Sequence, residues 1–306
     1  MNAKTETAAS STPRWVVAVL SLLATGFLLG LSTNLAKVAA NIGLGPLAFL
    51  AWSVLGATVI LFAINLVQGH RPPVTKRTSE YFFFAAIFSV AAPNLIFFAA
   101  VPQVGASFVA LCIAFPPLFT YVGALALRME RFNSVRALGV ALALCGAAWL
   151  ALLKLTAPDA PTFWIVLAMI GPIILAMGNI YRSLRWPPGA TPDVLAPGML
   201  AAASALLLLA GLVPGLSLAV PMDRTEPMLL ILVQSVAFAA QYFLFFVLQR
   251  SGGPVFLSLL GSVAAVTGVP VAILLLGEAP LQGLAIGAAL IAAGIFLVAR
   301  GGRKKS

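Results

Sequence analysis

The chain has very few charged residues, and this shortage is its most informative property. Of its 306 residues only 8% are Asp, Glu, Lys or Arg, while 61% are hydrophobic and the mean hydropathy is +1.07. A soluble domain has about a quarter of its residues charged, so this composition excludes a surface that faces water on all sides. Lipid is the expected outer solvent. Helices are the expected elements, because a helix satisfies its own backbone hydrogen bonds.

Residues for common enzyme and redox chemistry are also scarce. His70 is the only histidine, so no histidine pair can bind a metal ion or relay protons. Cys112 and Cys145 lie inside apolar runs and are expected to be small core residues rather than a disulfide. The sequence has no glycine-rich phosphate-binding loop with its lysine. We therefore predict no enzyme activity, no metal site and no cofactor.

Long apolar runs are abundant and divide the chain into ten predicted membrane-spanning helices. Each run has roughly 18–25 residues, the length that crosses a hydrocarbon core about 30 Å thick. The breaks between runs carry proline, glycine and nearly all the charges, as connections do. The predicted spans are 15–37, 46–67, 81–101, 104–127, 134–153, 163–181, 194–213, 228–248, 254–276 and 281–299.

The 18 Lys and Arg residues are divided unequally between the two sides of the membrane. Fifteen fall on the side of the two termini, and only Lys37, Lys154 and Arg224 fall on the other. The positive-inside rule therefore places both termini in the cytoplasm. Topology signals and contacts with anionic lipid account for the net charge of +10, so lipid is an expected partner and nucleic acid is not. No obligate protein partner is evident.

The second half of the sequence repeats the first. A shift of 148 pairs four residues with four others without a gap: Gly105 with Gly253, Glu130 with Glu278, Gly139 with Gly287, and Gly146 with Gly294. Because five spans in each half is an odd number, the two copies are expected to be inverted around a shared cavity near the midplane. The predicted organisation is an N-terminal cytoplasmic tail (1–14), a first repeat (15–153), a linker (154–162), a second repeat (163–299) and a basic tail (300–306).

Neutral polar residues inside the spans mark the predicted substrate site. Helical spacing places Phe83, Asn94 and Phe98 along one face of the third span. In the eighth span the corresponding set is Gln234, Phe238, Gln241 and Phe245, with Tyr242 adjacent. Amides can bind the charged groups of a zwitterion, and phenyl rings suit an apolar or aromatic side chain. Hydrogen bonding between helices, with the aromatics facing lipid, is the alternative explanation.

Two asparagines precede cations by one turn, Asn34 before Lys37 and Asn179 before Arg182, and a repeat shift of 145 pairs Asn34 with Asn179 and Lys37 with Arg182. Either they line the two mouths of a pathway, or the cations simply extend to lipid headgroups; the sequence leaves both open. Helix breakers mark possible gating hinges in the fourth and ninth spans: Pro116, Pro117, Gly261, Gly268 and Pro270. All eight carboxylates lie in connections or at helix ends, which favours gradient-driven facilitation over a proton relay.

Ten spans in two inverted copies, with Glu130, Gly139 and Gly146 recurring as Glu278, Gly287 and Gly294, resemble the EamA-type branch of the drug/metabolite transporter superfamily. The resemblance implies a basket of helices around a central cavity, alternating access, and export of amino acids across a bacterial inner membrane. We expect a broad, aromatic-leaning specificity.

Three rival functions make different demands on the sequence. A proton-coupled drug or metabolite antiporter would need a buried carboxylate in the pathway. A nucleotide-sugar carrier would need basic residues inside the cavity, and the predicted spans lack them. A membrane scaffold or receptor would need a sizeable extramembrane domain, whereas the longest predicted loops have only about a dozen residues.

Overall fold

The computed structural model describes residues 14–69, 75–129, 131–155, 162–221, 224–257, 260–280 and 283–302, and every regular element in these ranges is helical. A π-helical segment, Ile87–Ala91, lies between the third and fourth helices. The first seven helices form the N-terminal half and the last five form the C-terminal half. The helices are α1 (Arg14–Asn41), α2 (Pro46–Val67), α3 (Lys76–Ala86), α4 (Ala92–Val104), α5 (Ala106–Cys112), α6 (Pro116–Ala126), α7 (Ser134–Leu155), α8 (Thr162–Arg185), α9 (Pro192–Ala210), α10 (Glu226–Leu257), α11 (Leu260–Leu274) and α12 (Leu284–Gly302).

Seven helical segments in the described ranges are long and apolar enough to cross a membrane: Val16–Asn41, Pro46–Val67, Lys76–Val104, Ala106–Ala126, Thr162–Arg185, Pro192–Ala210 and Glu226–Ser251. Three shorter apolar helices lie at Ser134–Gly146, Leu260–Leu274 and Ala285–Gly294. The fold is thus that of an integral membrane protein, and the count of ten spans stays a prediction. Most of the linker predicted at 154–162, and most of both tails, lie outside the described residues.

Several helices extend beyond the apolar runs that predicted them. Helix α8 ends at Arg185 rather than 181, and α10 ends at Leu257 rather than 248. Hydropathy locates only the apolar part of a helix, whereas the backbone hydrogen bonds continue until the chain prevents them. For α8 the stop signal is the Pro187-Pro188 pair, because a residue before proline disfavours helical geometry.

The predicted interruption of the fourth span is present. Pro116 and Pro117 lack the N–H groups that would bond to the carbonyls of Cys112 and Ile113, so an uninterrupted helix cannot form through this point. Helix α5 ends at Cys112 and α6 begins at Pro116. Between them the Phe115 N–H donates to the Cys112 carbonyl at 3.1 Å and closes a tight turn. In the ninth span, by contrast, α11 is continuous past Pro270.

The π-helical segment rearranges the face predicted for the third span. A π turn inserts one extra residue, so positions on its two sides no longer follow a 3.6-residue period. Asn94 and Phe98 are buried, whereas Phe83 is 45% exposed. Phe83 therefore does not share the buried face of Asn94 and Phe98, contrary to the helical-spacing prediction.

Helices from the two halves pack against one another in corresponding ways. Helix α1 packs against α10 and α11, while α8 packs against α3, α4 and α6. Helix α7 lies along α12, where glycines permit a close approach. A Cβ atom on Gly146 would crowd the Gly287 carbonyl, and one on Gly294 would crowd the Gly139 carbonyl. These four glycines are the ones that the sequence repeat pairs.

Candidate functional site

A cavity of about 70 Å³ lies between the two halves. Its described walls come from α1, the π-helical segment, α4, the turn before α6, α6, α8, α10 and α11. Six of its lining side chains are polar, and the remaining described lining residues are apolar: the polar ones are Ser89, Asn94, Asn179, Arg182, Gln241 and Tyr242. At about 30 Å³ for each molecule in liquid water, the volume corresponds to about two water molecules.

The cavity brings together half of the predicted substrate-binding residues. Those that line it are Asn94, Asn179, Gln241, Tyr242 and Phe245. Those that are not among its described lining residues are Asn34, Gln234, Phe83, Phe98 and Phe238. Three of the predicted hinge residues, Pro116, Pro117 and Gly261, also line it, whereas Gly268 and Pro270 lie farther along α11. A Cβ atom on Gly261 would overlap the backbone of Ile113 and Ala114, so α11 contacts the break in the fourth span directly.

Asn94 links the two halves while it lines the cavity. Its side-chain Nδ2 donates to the Val90 carbonyl at 2.7 Å and to the Tyr242 hydroxyl at 2.8 Å. The Tyr242 hydroxyl in turn lies 3.5 Å from the Ser89 carbonyl. The amide thus makes the interhelical hydrogen bond of the alternative explanation and also lines the cavity, and its binding of substrate stays a prediction.

Gln234 has an interhelical position instead. Its side chain is fully buried, and its Nε2 donates to the Ser32 hydroxyl at 2.9 Å. That hydroxyl lies 3.3 Å from Gln241 Oε1, so Ser32 joins α1 to two glutamines of α10, Gln234 and Gln241. Sequence reasoning missed Ser32, because a single serine in an apolar helix carries no signal of its own.

Arg182 is the largest correction to the sequence prediction. It is only 2% exposed and lines the cavity, so it does not extend to the headgroups. Its guanidinium carbon lies 4.4 Å from the ring centroid of Phe245, and its Nη2 donates to Asn179 Oδ1 at 2.7 Å. No residue in the described part of the chain accepts a hydrogen bond from its Nε. The expectation that no basic residue lies in the cavity is wrong, because α8 continues past residue 181 and carries Arg182 inside.

The equivalent residues in α1 make different contacts. Asn34 Nδ2 donates to the carbonyls of Gly30 at 2.8 Å and Gly268 at 3.1 Å, which ties α1 to α11. Lys37 Nζ lies 3.7 Å from Glu278 Oε1. Neither residue is among the described lining residues of the cavity.

Glu278 connects the loop after α11 to the start of α5. Its carboxylate accepts the N–H of Ala106 at 2.6 Å and the N–H of Ser107 at 2.9 Å. Burial on its own raises the pKa of Glu278, but the hydrogen bonds from these two N–H groups and the charge of Lys37 outweigh it, so the net shift of the pKa is downward. Its repeat equivalent, Glu130, lies outside the described residues.

Comparison with family models finds a match in the first half of the chain. Residues 16–152, a little under half of the chain, match the model of the EamA-like transporter family, so this part of the chain is similar to that family. The family is described as one of transporters.

No curated protein matches the chain. Among solved structures 23 chains match. One of them is a crystal structure of a protein with 18% sequence identity and a TM-score of 0.67. The match covers 95% of this chain and 99% of the other. At that identity the likeness shows the fold alone.

Proposed function

We propose that this protein exports amino acids, with a broad and aromatic-leaning specificity, by alternating access in a bacterial inner membrane. The observation that carries the proposal is the cavity between the halves. Its wall combines the Asn94 amide, the Tyr242 phenol and the Arg182 guanidinium with the phenyl ring of Phe245. Apolar walls with a few placed polar groups are typical of small-molecule sites, and these groups match the parts of an amino acid.

The proposed architecture is ten membrane-spanning helices in two inverted repeats, with both termini in the cytoplasm. The packing of α1 on α10 and α11 has its counterpart in the packing of α8 on α3, α4 and α6. The close approach of Gly146 to the Gly287 carbonyl corresponds to the close approach of Gly294 to the Gly139 carbonyl. A pseudo-two-fold axis in the membrane plane would produce this reciprocity, so the contacts support an inverted repeat.

The aromatic preference draws on a resemblance within the superfamily. The run F-F-F-A-A-I-F-S-V-A-A-P-N at 82–94 and the run Q-S-V-A-F-A-A-Q-Y-F at 234–243 are similar to segments of YddG, a bacterial exporter of aromatic amino acids. Asn94, Gln241 and Tyr242 belong to these runs and line the cavity.

Transport requires the cavity to widen. At about 70 Å³ it is far smaller than a typical small-molecule site of about 300–1,000 Å³. We propose that bending takes place at the turn Ile113–Phe115, where α5 and α6 are already separated and α11 approaches through Gly261. Gly268 and Pro270 weaken the helix hydrogen bonding of α11 farther along.

We further propose that movement is driven by the substrate gradient. No carboxylate is among the described residues that line the cavity, which supports facilitation rather than proton coupling. A facilitator has no built-in direction, so a high cytoplasmic concentration of amino acid would drive its efflux.

Liposomes containing the purified protein test the proposal. Labelled phenylalanine should equilibrate without an imposed pH gradient and should exchange against unlabelled phenylalanine inside. Gln241→Ala should slow uptake, because Gln241 lines the cavity. Gln234→Ala is the matched control: it removes the same side chain from the same helix, also beside Ser32, but outside the described cavity wall. Strict dependence on a proton gradient would favour the antiporter, and failure to move any amino acid would refute the proposed substrate.

A further inference from the structure

We infer that Arg182 binds the carboxylate of the transported compound, and that the cavity selects for one negative group without requiring an ammonium group. This inference rests on the proposed transport function and specifies its substrate class.

Arg182 brings a permanent charge into a buried site. Arginine stays protonated in proteins, and an ionisable side chain inside a membrane protein is expensive and is normally kept for a task. The side chain is 2% exposed, so the charge has lost most of the solvation that bulk water would give it. A buried charge of this kind needs compensation from a partner.

The compensation within the protein is incomplete. Asn179 accepts one hydrogen bond from Nη2, and the Phe245 ring faces the guanidinium at 4.4 Å. Both are neutral groups. Within the described ranges the Nε–H has no acceptor, and no carboxylate oxygen lies within 4.0 Å of the guanidinium. The site therefore offers a positive charge and at least one N–H for an anion that is not part of the described protein.

A carboxylate fits what is left. Its two oxygens match two N–H groups on one edge of a guanidinium, a pairing that is both strong and directional. Arg182 is the one cationic side chain among the described lining residues, so a singly charged group is balanced and a doubly charged phosphate is not. No acidic side chain is among them either, so nothing charged is available to bind an ammonium group.

Competition against labelled phenylalanine in liposomes separates the two charged groups of the substrate. The unlabelled competitors are phenylalanine, 3-phenylpropanoate, phenylalaninamide and 2-phenylethylamine. The first two carry the carboxylate and should compete comparably. The last two lack it and should be about ten- to a hundredfold weaker, the range expected when a hydrogen-bonded charge loses its partner.

Substitutions at two positions on the same helical turn test the residue. Arg182→Gln should abolish the preference for carboxylates, and Arg182→Lys should keep part of it. Arg185→Gln is the matched control, because Arg185 carries the same charge at an exposed position three residues from Arg182. Its replacement should leave the preference for carboxylates intact. If Arg182→Gln does not fold, Arg182→Lys and the wild-type competition series decide.

A binding measurement distinguishes failure of this inference from failure of the transport proposal. In detergent, 3-phenylpropanoate should raise the Tm of the wild type and of Arg185→Gln but not of Arg182→Gln, and 2-phenylethylamine should raise none. If these Tm shifts are observed but phenylalanine is not transported, the proposed amino-acid export is refuted and the role of Arg182 in binding a carboxylate stands. Phenylalaninamide competing as well as phenylalanine, or no stabilisation of the wild type by 3-phenylpropanoate, would overturn the role of Arg182.

Discussion

Replacing Glu278 with glutamine should weaken a contact between the two halves of the protein. The carboxylate accepts two backbone N–H groups, from Ala106 at 2.6 Å and Ser107 at 2.9 Å. Glutamine has only one side-chain oxygen, so one of these N–H groups loses its acceptor and faces an NH₂ group instead. A hydrogen bond to a charged group contributes about 1.5–3 kcal/mol, and the pair with Lys37, partly exposed, adds about 0–1 kcal/mol. We expect a loss of about 2 kcal/mol in the free energy of unfolding.

Thermal unfolding in detergent, followed by tryptophan fluorescence, measures this loss. A change of about 2 kcal/mol corresponds to a decrease in Tm of about 4–8 °C. Glu226→Gln is the control, because Glu226 is also an acid at a helix start but is exposed in the first turn of α10. Its removal should lower the stability by less than about 1 kcal/mol. Equal decreases in Tm for the two variants would refute the argument from the Ala106 and Ser107 hydrogen bonds.

The same substitution should also affect access. Glu278 belongs to the C-terminal half and its two donors to the N-terminal half, so the proposed rocking of the halves must break this contact when that end opens. A cysteine placed at Ser107, which is buried, should react faster with a maleimide in Glu278→Gln than in the parent, with Cys112 and Cys145 replaced in both. An unchanged labelling rate would show that the contact supports stability without restraining opening.

Three further predictions follow from the described contacts. Because the pKa of Glu278 is lowered in the folded protein, the carboxylate contributes its full stabilisation above pH 4.5, the ordinary pKa, and loses it as the pH falls through the lower folded-state pKa. The Tm difference between the wild type and Glu278→Gln should therefore be constant from about pH 8 to about pH 5 and should shrink at lower pH. Gly146→Leu should lower the Tm, because a side chain there would force α7 away from α12 at a cost of about 1–3 kcal/mol, whereas Gly45→Ala, in open space, should not. Tyr242→Phe should lower the Tm by removing the hydroxyl that accepts from Asn94, a loss of about 1–2 kcal/mol, and should slow phenylalanine uptake.

Features that depend on local chain chemistry could be predicted from the sequence. The helix at 46–67 begins and ends as predicted, because Pro46 opens it and its whole length is apolar. The break before Pro116 follows from two missing N–H groups. The glycines at 146 and 294 were visible as a repeat, although their contacts with α12 and α7 were not. For the helix at 46–67 and the break before Pro116, the determining interactions lie within a few residues of one another.

Features that depend on packing could not be predicted in this way. Pro93 follows the π-helical segment Ile87–Ala91 and marks an irregularity there, but a proline alone does not specify a π turn. This turn separates Phe83, which is exposed, from Asn94, which is buried. Gln234 and Gln241 are equally polar and lie on one helix, but only Gln241 lines the described cavity. A signal did exist for Arg182. The apolar run ends at residue 181, just before this cation. The Pro187-Pro188 pair marks a later helix end, which places Arg182 inside the helix.

The sequence repeat pairs Lys37 with Arg182, and the structure shows why the two residue types are not interchangeable. Lys37 meets a single carboxylate oxygen at 3.7 Å near a helix end, where a compact charge is sufficient. Arg182 is buried, lies over the Phe245 ring and directs its planar group into the cavity wall. A lysine there would keep the charge but lose the stacking surface and the fixed pair of N–H groups. One of the two equivalent cations is thus balanced by Glu278 while the other has no described acidic partner, and the cavity is left with the positive charge that a carboxylate substrate would neutralise.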